Sequence, residues 1–225
     1  MNSYQSISDQ TGIPLPMLLV HWVESGLTVY ENWQETWRER MLNSPPALAS
    51  IYDFQWLNAD QSQDNIGRWL NPDRQNGMRF LPFGRGGAGD CYSLVPITPD
   101  MAPVALIFHD SGKLQWCARS FAEFAYIKLV EACADFDHLL DDDFSEEEAL
   151  QCLSADLGNV RMALPSELAQ RLNPILIRVE SARNAFSIGN GVVTLVNDQE
   201  LSEINERFSV TGLPEQNCVP RWQCR

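Results

Sequence analysis

The sequence predicts an α+β fold, in which a curved, mostly antiparallel sheet is flanked by helices. Two observations give this prediction. Short stretches in the middle of the chain alternate apolar and polar residues between turn residues, which is typical of an antiparallel meander. Before and after these stretches, apolar residues recur at helical spacing. With 225 residues, the chain is long enough to bury a sizeable core.

Two helices are predicted before the sheet. Leu15 to Glu24 places its apolar residues at helical spacing and stops at Gly26. Glu31 to Leu42 carries two tryptophans on one side, and Pro45-Pro46 ends it.

Five strands follow from alternation and from β-branched or aromatic content. They are Ile51 to Leu57, Phe80 to Phe83, Cys91 to Val95, Val104 to His109 and Leu114 to Ala118. Asp110 to Lys113 is rich in turn residues and is predicted to connect the last two strands.

Between the second and third of these strands, Gly84, Gly86 and Gly89 match the spacing G-x-G-x-x-G. A dinucleotide-binding loop must open a helix, whose N-terminal N–H groups hold the pyrophosphate. Here Asp90 to Val95 alternates like a strand, and Pro96 closes the run before a helix could form. The glycines are therefore predicted to serve a sharp turn with positive φ and a close approach of another backbone, without a bound cofactor.

Capping boxes mark two helices after the sheet. Ser120 and Glu123 predict a helix that reaches about Cys133, and Ser145 and Glu148 predict a short one.

The C-terminal region is predicted to form a helix, a hairpin and a closing helix. The elements are a helix at Pro165 to Leu172, a strand at Ile175 to Val179, a hairpin of Phe186 to Ile188 with Val192 to Val196, and a helix at Asp198 to Phe208. The predicted organisation is an α+β domain over residues 1–133, with an acidic segment and C-terminal extension packed on it over residues 134–225. The extension could form a small second unit or add to the first sheet.

The net charge of −14 is concentrated between Glu131 and Val160, where ten acidic residues occur without a lysine or arginine. Nucleic acid is an improbable partner, because phosphate binding needs clustered basic side chains. A basic protein fits the charge, since an acidic surface attracts cations over long range. The alternative is a solvated face without a partner.

The six cysteines, Cys91, Cys117, Cys133, Cys152, Cys218 and Cys224, show no C-x-x-C pair. This distribution favours reduced, mostly buried thiols over a disulfide framework or zinc site. Neither a leader sequence nor a long apolar run is evident at the start, so the prediction is a cytoplasmic protein without a membrane partner.

The histidines give weak catalytic signals. His21 lies on the first helix and is interpreted as a half-buried structural residue. His109-Asp110 could orient a proton transfer, although Asp110 fits a turn acceptor better. His138, among Asp135, Asp137 and Asp141 to Asp143, is the best metal constellation, but it lacks the glycine and the spacing of a calcium loop.

An ordered series of motifs resembles the SUKH superfamily of Smi/Knr-type proteins. The series comprises Ile13 to Pro16 at a helix entry, FLPF before the glycine turn, Gly89 to Tyr92 after it, Pro103-Val104, His109-Asp110, and Ser120 to Phe124. The resemblance covers about Thr11 to Val130. It implies an α+β fold and a role without catalytic residues or cofactors. In bacteria that role is usually an immunity protein that neutralises a toxin domain, and in fungi it is a regulator of cell-wall synthesis.

Resemblance and charge together predict a non-enzymatic immunity protein that occludes a basic toxin such as a nuclease. Trp33 or Trp56 could supply an exposed aromatic anchor. The alternatives are a regulator or scaffold of cell-wall synthesis and a carboxylate metal-dependent hydrolase. The predicted partner-binding residues are Asp135, Asp137, Asp141, Asp142, Asp143, Glu146, Glu147 and Glu148.

Overall fold

A computed structural model describes residues 3–186 and 194–224. The helices, in chain order, are α1 (Tyr4–Thr11), α2 (Met17–Glu24), α3 (Trp33–Asn43), α4 (Ala59–Asn65), α5 (Phe121–Ala134), α6 (Asp137–Asp141), α7 (Glu146–Ala163), α8 (Ser166–Phe186) and α9 (Asp198–Arg207). A π-helical turn (Ile66–Leu70) continues α4, and a 3₁₀ turn (Arg221–Gln223) lies near the C-terminus.

Among the described residues, five strands form one open antiparallel sheet, which confirms the predicted α+β class. They are β1 (Gln55–Trp56), β2 (Leu81–Arg85), β3 (Cys91–Leu94), β4 (Val104–Ile107) and β5 (Leu114–Ala118). Each strand pairs with its neighbour in sequence, so the sheet is the predicted meander. The predicted strand at Ile51 to Leu57 is reduced to the two residues of β1.

The chain folds into two compact units, and both are discontinuous in sequence. Unit 1 contains residues 1–20, 53–124 and 208–225, and unit 2 contains residues 21–52 and 125–207. The predicted boundary at residue 133 therefore falls inside unit 2, whereas the C-terminal segment belongs to unit 1.

The sheet of unit 1 has apolar side chains on both faces, because successive residues of a strand point to opposite sides. On β3, Tyr92 packs in an aromatic cluster with Phe54 and Phe124. Its neighbour Cys91 belongs to a second cluster, formed with Trp69, Leu70, Phe80, Val95, Ala105, Ile107, Leu114, Cys218 and Cys224. Residues 218 and 224 of the C-terminal segment thus complete one face of the sheet.

Unit 2 is helical among its described residues, and α7 packs against both α3 and α8. The predicted capping box at its start is confirmed: Ser145 and Glu148 exchange side-chain hydrogen bonds with each other's backbone N–H. The helix is longer than predicted, at 18 residues.

Helix α8 corrects the predicted strand at Ile175 to Val179, which is helical. Its buried residues lie three or four positions apart and make one stripe: Leu168, Leu172, Ile175, Val179 and Ala182. The local β-branched content misled the prediction, because packing along this stripe outweighs strand propensity. Most of the predicted hairpin around Gly189 to Gly191 lies outside the described residues.

Within the described residues, no helix has both the length and the apolar character needed to cross a membrane.

The cysteines give a first testable prediction. All six are thiols outside any disulfide, and every one except the half-buried Cys117 is buried. Burial raises the pKa of Cys91, Cys133, Cys152 and Cys218 to about 12, so these thiols are protonated and unreactive near neutral pH. We expect a thiol reagent such as Ellman's reagent to modify Cys117 alone in the native protein and all six cysteines in denaturant. A Cys117→Ser variant should then show no rapid phase. Rapid native modification of several thiols would contradict this prediction.

Candidate functional site

The glycine-rich segment joins β2 to β3 as a hairpin, as the sequence predicts. The Gly86 N–H donates to the Asp90 carbonyl at 3.0 Å, and the Gly89 N–H donates to the Gly86 carbonyl at 3.0 Å. The next element is strand β3, which begins at Cys91. The helix N-terminus on which a dinucleotide pyrophosphate would rest does not follow this loop.

The three glycines have different roles, and only one matches the predicted positive φ. Gly89 has a φ of 96°. Gly84 instead accommodates a side chain, because a Cβ there would lie 2.4 Å from Cε2 of Phe54. At Gly86 a Cβ would lie 2.6 Å from the Asp53 carboxylate, which accepts a hydrogen bond from the Gly87 N–H. The groups that closely approach Gly84 and Gly86 are therefore side chains, and not the backbone that the sequence analysis expected.

His109 pairs with Asp90 and not with its sequence neighbour Asp110. The His109 N–H donates to Asp90 Oδ1 at 2.9 Å, and the His109 ring nitrogen Nδ1 lies 2.7 Å from the same oxygen. In the turn after His109, the side-chain acceptor is Ser111, whose hydroxyl accepts from the Lys113 N–H at 3.4 Å. The interpretation of Asp110 as that acceptor is therefore corrected.

The proposed metal constellation around His138 is not assembled. The His138 nitrogen Nε2 lies 3.0 Å from the Ser50 carbonyl oxygen, and its ring contacts the Tyr52 ring with centroids 5.6 Å apart. Over residues 3–186 and 194–224, no group of three or more metal-ligating side chains converges. His21 is exposed, not half-buried as the sequence suggested.

Seven of the eight predicted partner-binding residues form an exposed group in unit 2. They lie directly after α5, on α6, in the loop that follows α6 and at the start of α7. We refer to them as the acidic surface: Asp135, Asp137, Asp141, Asp142, Asp143, Glu146 and Glu147. For the part of the chain that the structure describes, none of the seven forms an ion pair.

The eighth residue, Glu148, has a structural role. Its carboxylate accepts hydrogen bonds from the Ser145 N–H at 2.9 Å and from Arg38 at 2.8 Å. The backbone hydrogen bond from Ser145, together with Arg38, lowers the pKa of Glu148. Arg38 also donates to the Asp143 carbonyl at 3.0 Å and lies over the Phe144 ring. Glu148 and Arg38 thus hold the loop that presents the acidic surface.

Helix electrostatics explain only part of this surface. Glu146 and Glu147 lie in the first turn of α7, where the helix dipole favours negative charge. Asp141 to Asp143 lie at the C-terminal end of α6, where the dipole of that helix disfavours negative charge. Asp143 also has a φ of 64°, in the left-handed region. The dipole of α6 therefore does not account for the three aspartates at positions 141–143.

An exposed tyrosine lies beside the acidic surface, and sequence reasoning missed it. Tyr52 is 73% exposed and its ring contacts His138 of α6. The two predicted aromatic anchors are less accessible. Trp56 is buried in the aromatic cluster of unit 1, and Trp33 is half-buried against Tyr30. For Trp56 the cause is simple, because an aromatic residue in an alternating stretch gives no sign of which face of the strand it occupies.

Compared with protein-family models, curated proteins and solved structures, the chain shows no significant match.

Proposed function

We propose that this chain is a non-enzymatic binding protein that neutralises a cationic toxin domain, in the manner of a Smi/Knr-type immunity protein. The observation that carries the proposal is the acidic surface, with seven exposed carboxylates free of ion pairs in the described chain, next to the exposed Tyr52 ring. The antiparallel sheet and its helices also fit the fold that the sequence resemblance implies.

The mechanism needs no reacting group. The clustered carboxylates attract a cationic partner before contact and accelerate its association. Tyr52 supplies a rigid aromatic contact of the kind that concentrates binding energy at an interface. Seated over the active site of the toxin, such a surface excludes its substrate by volume alone.

The first experiment is co-expression with the protein encoded immediately upstream. We expect that protein to stop growth when expressed alone, and growth to recover when this chain is co-expressed. A harmless upstream product that copurifies with this chain would favour the alternative role as a regulator or scaffold of cell-wall synthesis. If this chain neutralises the toxin by binding it, the two proteins should also form a complex. Size-exclusion chromatography of their mixture tests this expectation.

A charge variant tests the surface itself. We expect Asp141, Asp142 and Asp143→Asn combined with Glu146 and Glu147→Gln to slow association by about tenfold or more at low salt. The dissociation rate should change less, because long-range attraction acts before the contacts form. Stopped-flow mixing over a range of salt concentrations measures both rates. The wild-type association rate should fall steeply with salt, and that of the variant should not.

The matched control removes five exposed carboxylates elsewhere, by two Asp→Asn and three Glu→Gln changes: Glu24, Asp73, Asp100, Glu203 and Glu206. If association were slowed equally in both variants, net charge alone would explain the effect, and the acidic surface would have no specific role in binding. Tyr52→Ala should also weaken binding, but through the other rate constant: dissociation should become faster, and association should stay nearly unchanged.

A further inference from the structure

A second candidate site, with the opposite charge, lies in unit 1. It is an open cleft of about 650 Å³, which is in the range of small-molecule sites. Its lining residues come from three separate parts of the chain: Gly67, Arg68, Arg74, His109, Asp110, Arg221, Trp222 and Cys224. Three arginines and one aspartate meet here, in a chain whose net charge is −14. The cleft is therefore positively charged, although the whole molecule carries a net negative charge.

The walls of the cleft are fixed by side-chain amides. Gly67 and Arg68 belong to the π-helical turn, a rare form that occurs often at functional sites. Asn71 donates to the Ile66 carbonyl at 3.1 Å, and the fully buried Gln75 donates to the Trp69 carbonyl at 2.7 Å. Gln75 also accepts a hydrogen bond from the Val219 N–H at 2.8 Å, which anchors the C-terminal segment.

The C-terminal wall is also held against the turn after β4. The Arg221 N–H donates to the His109 carbonyl at 2.8 Å. The Trp222 indole N–H donates to the Asp110 carbonyl at 3.0 Å. This hydrogen bond fixes the indole, although the residue remains 60% exposed. A large aromatic face is thus held in place at the cleft with most of its area open to solvent.

The arginines differ in how far they are already engaged. Arg68 pairs with Asp64 at 2.8 Å. Arg74 donates to the Arg68 carbonyl at 2.5 Å and has donors left. Arg221 has no hydrogen bond or ion pair to its guanidinium among the described residues. Arg221 and Arg74 therefore have guanidinium donors available for an anion, and such forks suit phosphate oxygens.

We infer that this cleft binds a nucleotide-like ligand, with a phosphate on Arg221 and Arg74 and a planar ring stacked on Trp222. Asp110 also lines the cleft, and its carboxylate is an acceptor of the kind suited to a ribose hydroxyl. Charge, a fixed aromatic face and volume all agree with this ligand class. The cleft is separate from the glycine-rich hairpin, none of whose residues lines it.

Titration calorimetry with AMP, adenosine and inorganic phosphate on the full chain tests the inference. We expect AMP to bind more tightly than either fragment. Arg221→Ala should weaken AMP binding by about tenfold and leave adenosine binding unchanged. Trp222→Ala should weaken AMP and adenosine binding by about tenfold and leave phosphate binding unchanged. The matched control is Arg85→Ala, which removes an exposed guanidinium outside the cleft and should bind AMP like the wild type.

Circular dichroism checks that each variant is folded. If Arg221→Ala is not folded, the exposed Arg74→Ala takes its place with the same expected effect on AMP. Three outcomes would overturn the inference: no AMP binding by the wild type, unchanged AMP binding by the folded arginine variants, or phosphate binding as tight as that of AMP.

Discussion

Replacing Asp156 by alanine is expected to lower the free energy of unfolding by about 3–5 kcal/mol, the largest effect of any carboxylate in the described chain. Asp156 is fully buried in unit 2. Its carboxylate accepts three hydrogen bonds, from the Leu48 N–H at 2.8 Å, the Ser50 N–H at 2.9 Å and the Ser50 hydroxyl at 2.7 Å. Alanine would leave these three donors buried without an acceptor.

Urea unfolding followed by circular dichroism measures the loss. Glu206→Ala is the matched control, because Glu206 is an exposed carboxylate in the same unit and should change stability by less than about 0.5 kcal/mol. Ser50→Ala should cost less than Asp156→Ala, since it removes one donor and leaves the carboxylate with two partners. Equal stability of Asp156→Ala and the wild type would contradict the assigned role.

The same residue predicts a pH dependence of stability. Burial outweighs the hydrogen bonds from Ser50 and Leu48 and raises the pKa of Asp156 to about 6 from its ordinary 3.8. The folded state therefore binds more protons than the unfolded state between about pH 4 and pH 6. The stabilisation from protonated Asp156 is complete below about pH 4 and is lost as the pH rises through about 6. The free energy of unfolding of the wild type, relative to that of Asp156→Asn, should therefore fall by about 2–3 kcal/mol from pH 4 to pH 7.

Asp156 shows where sequence reasoning about charge is incomplete. It belongs to the acidic run between Glu131 and Val160, although it is the one member that is fully buried. The signal was present, because Cys152, Leu153, Asp156, Leu157 and Val160 recur at helical spacing and all are buried. A carboxylate inside such a stripe is typical of a buried acceptor. What it binds could not be predicted, since Leu48 and Ser50 lie over one hundred residues away in sequence.

The meander was predictable for a related reason. Its strands pair with sequence neighbours, so local alternation and turn residues contain most of the required information. Helix α8 was not predictable in the same way, because a short apolar run such as Ile175 to Val179 fits either a strand or a buried helix stripe.

The exposed carboxylates at positions 135–147 could be located from the sequence, because clustered charge is almost always solvated. The aromatic residue beside them could not, since Tyr52 reaches α6 through a contact between distant segments. The cationic cleft is a stronger example. Its arginines come from positions 68, 74 and 221, and no local pattern connects them.

Replacing Gly84 by alanine is expected to lower the free energy of unfolding by about 2–3 kcal/mol, although it adds one methyl group. The new Cβ would lie 2.4 Å from Cε2 and 2.9 Å from Cζ of Phe54. The Phe54 ring cannot easily move away, because it packs against Trp56, Phe83, Tyr92 and Phe124. Gly89→Ala is the comparison within the same motif. No atom lies within 4 Å of its Cβ, so only the strain of a φ of 96° remains, at about 1–2 kcal/mol.

A double-mutant cycle separates overpacking from a general defect of the hairpin. Phe54→Ala removes the atoms that the new Cβ would meet, so in that background Gly84→Ala should cost less by at least about 1 kcal/mol. The Gly89→Ala cost should be the same in both backgrounds, because Phe54 is not near its Cβ. Urea unfolding of the six proteins measures both couplings. If the Gly84 cost did not depend on Phe54, the glycine would be needed for its backbone, and close approach of an aromatic ring would no longer explain the first position of the motif.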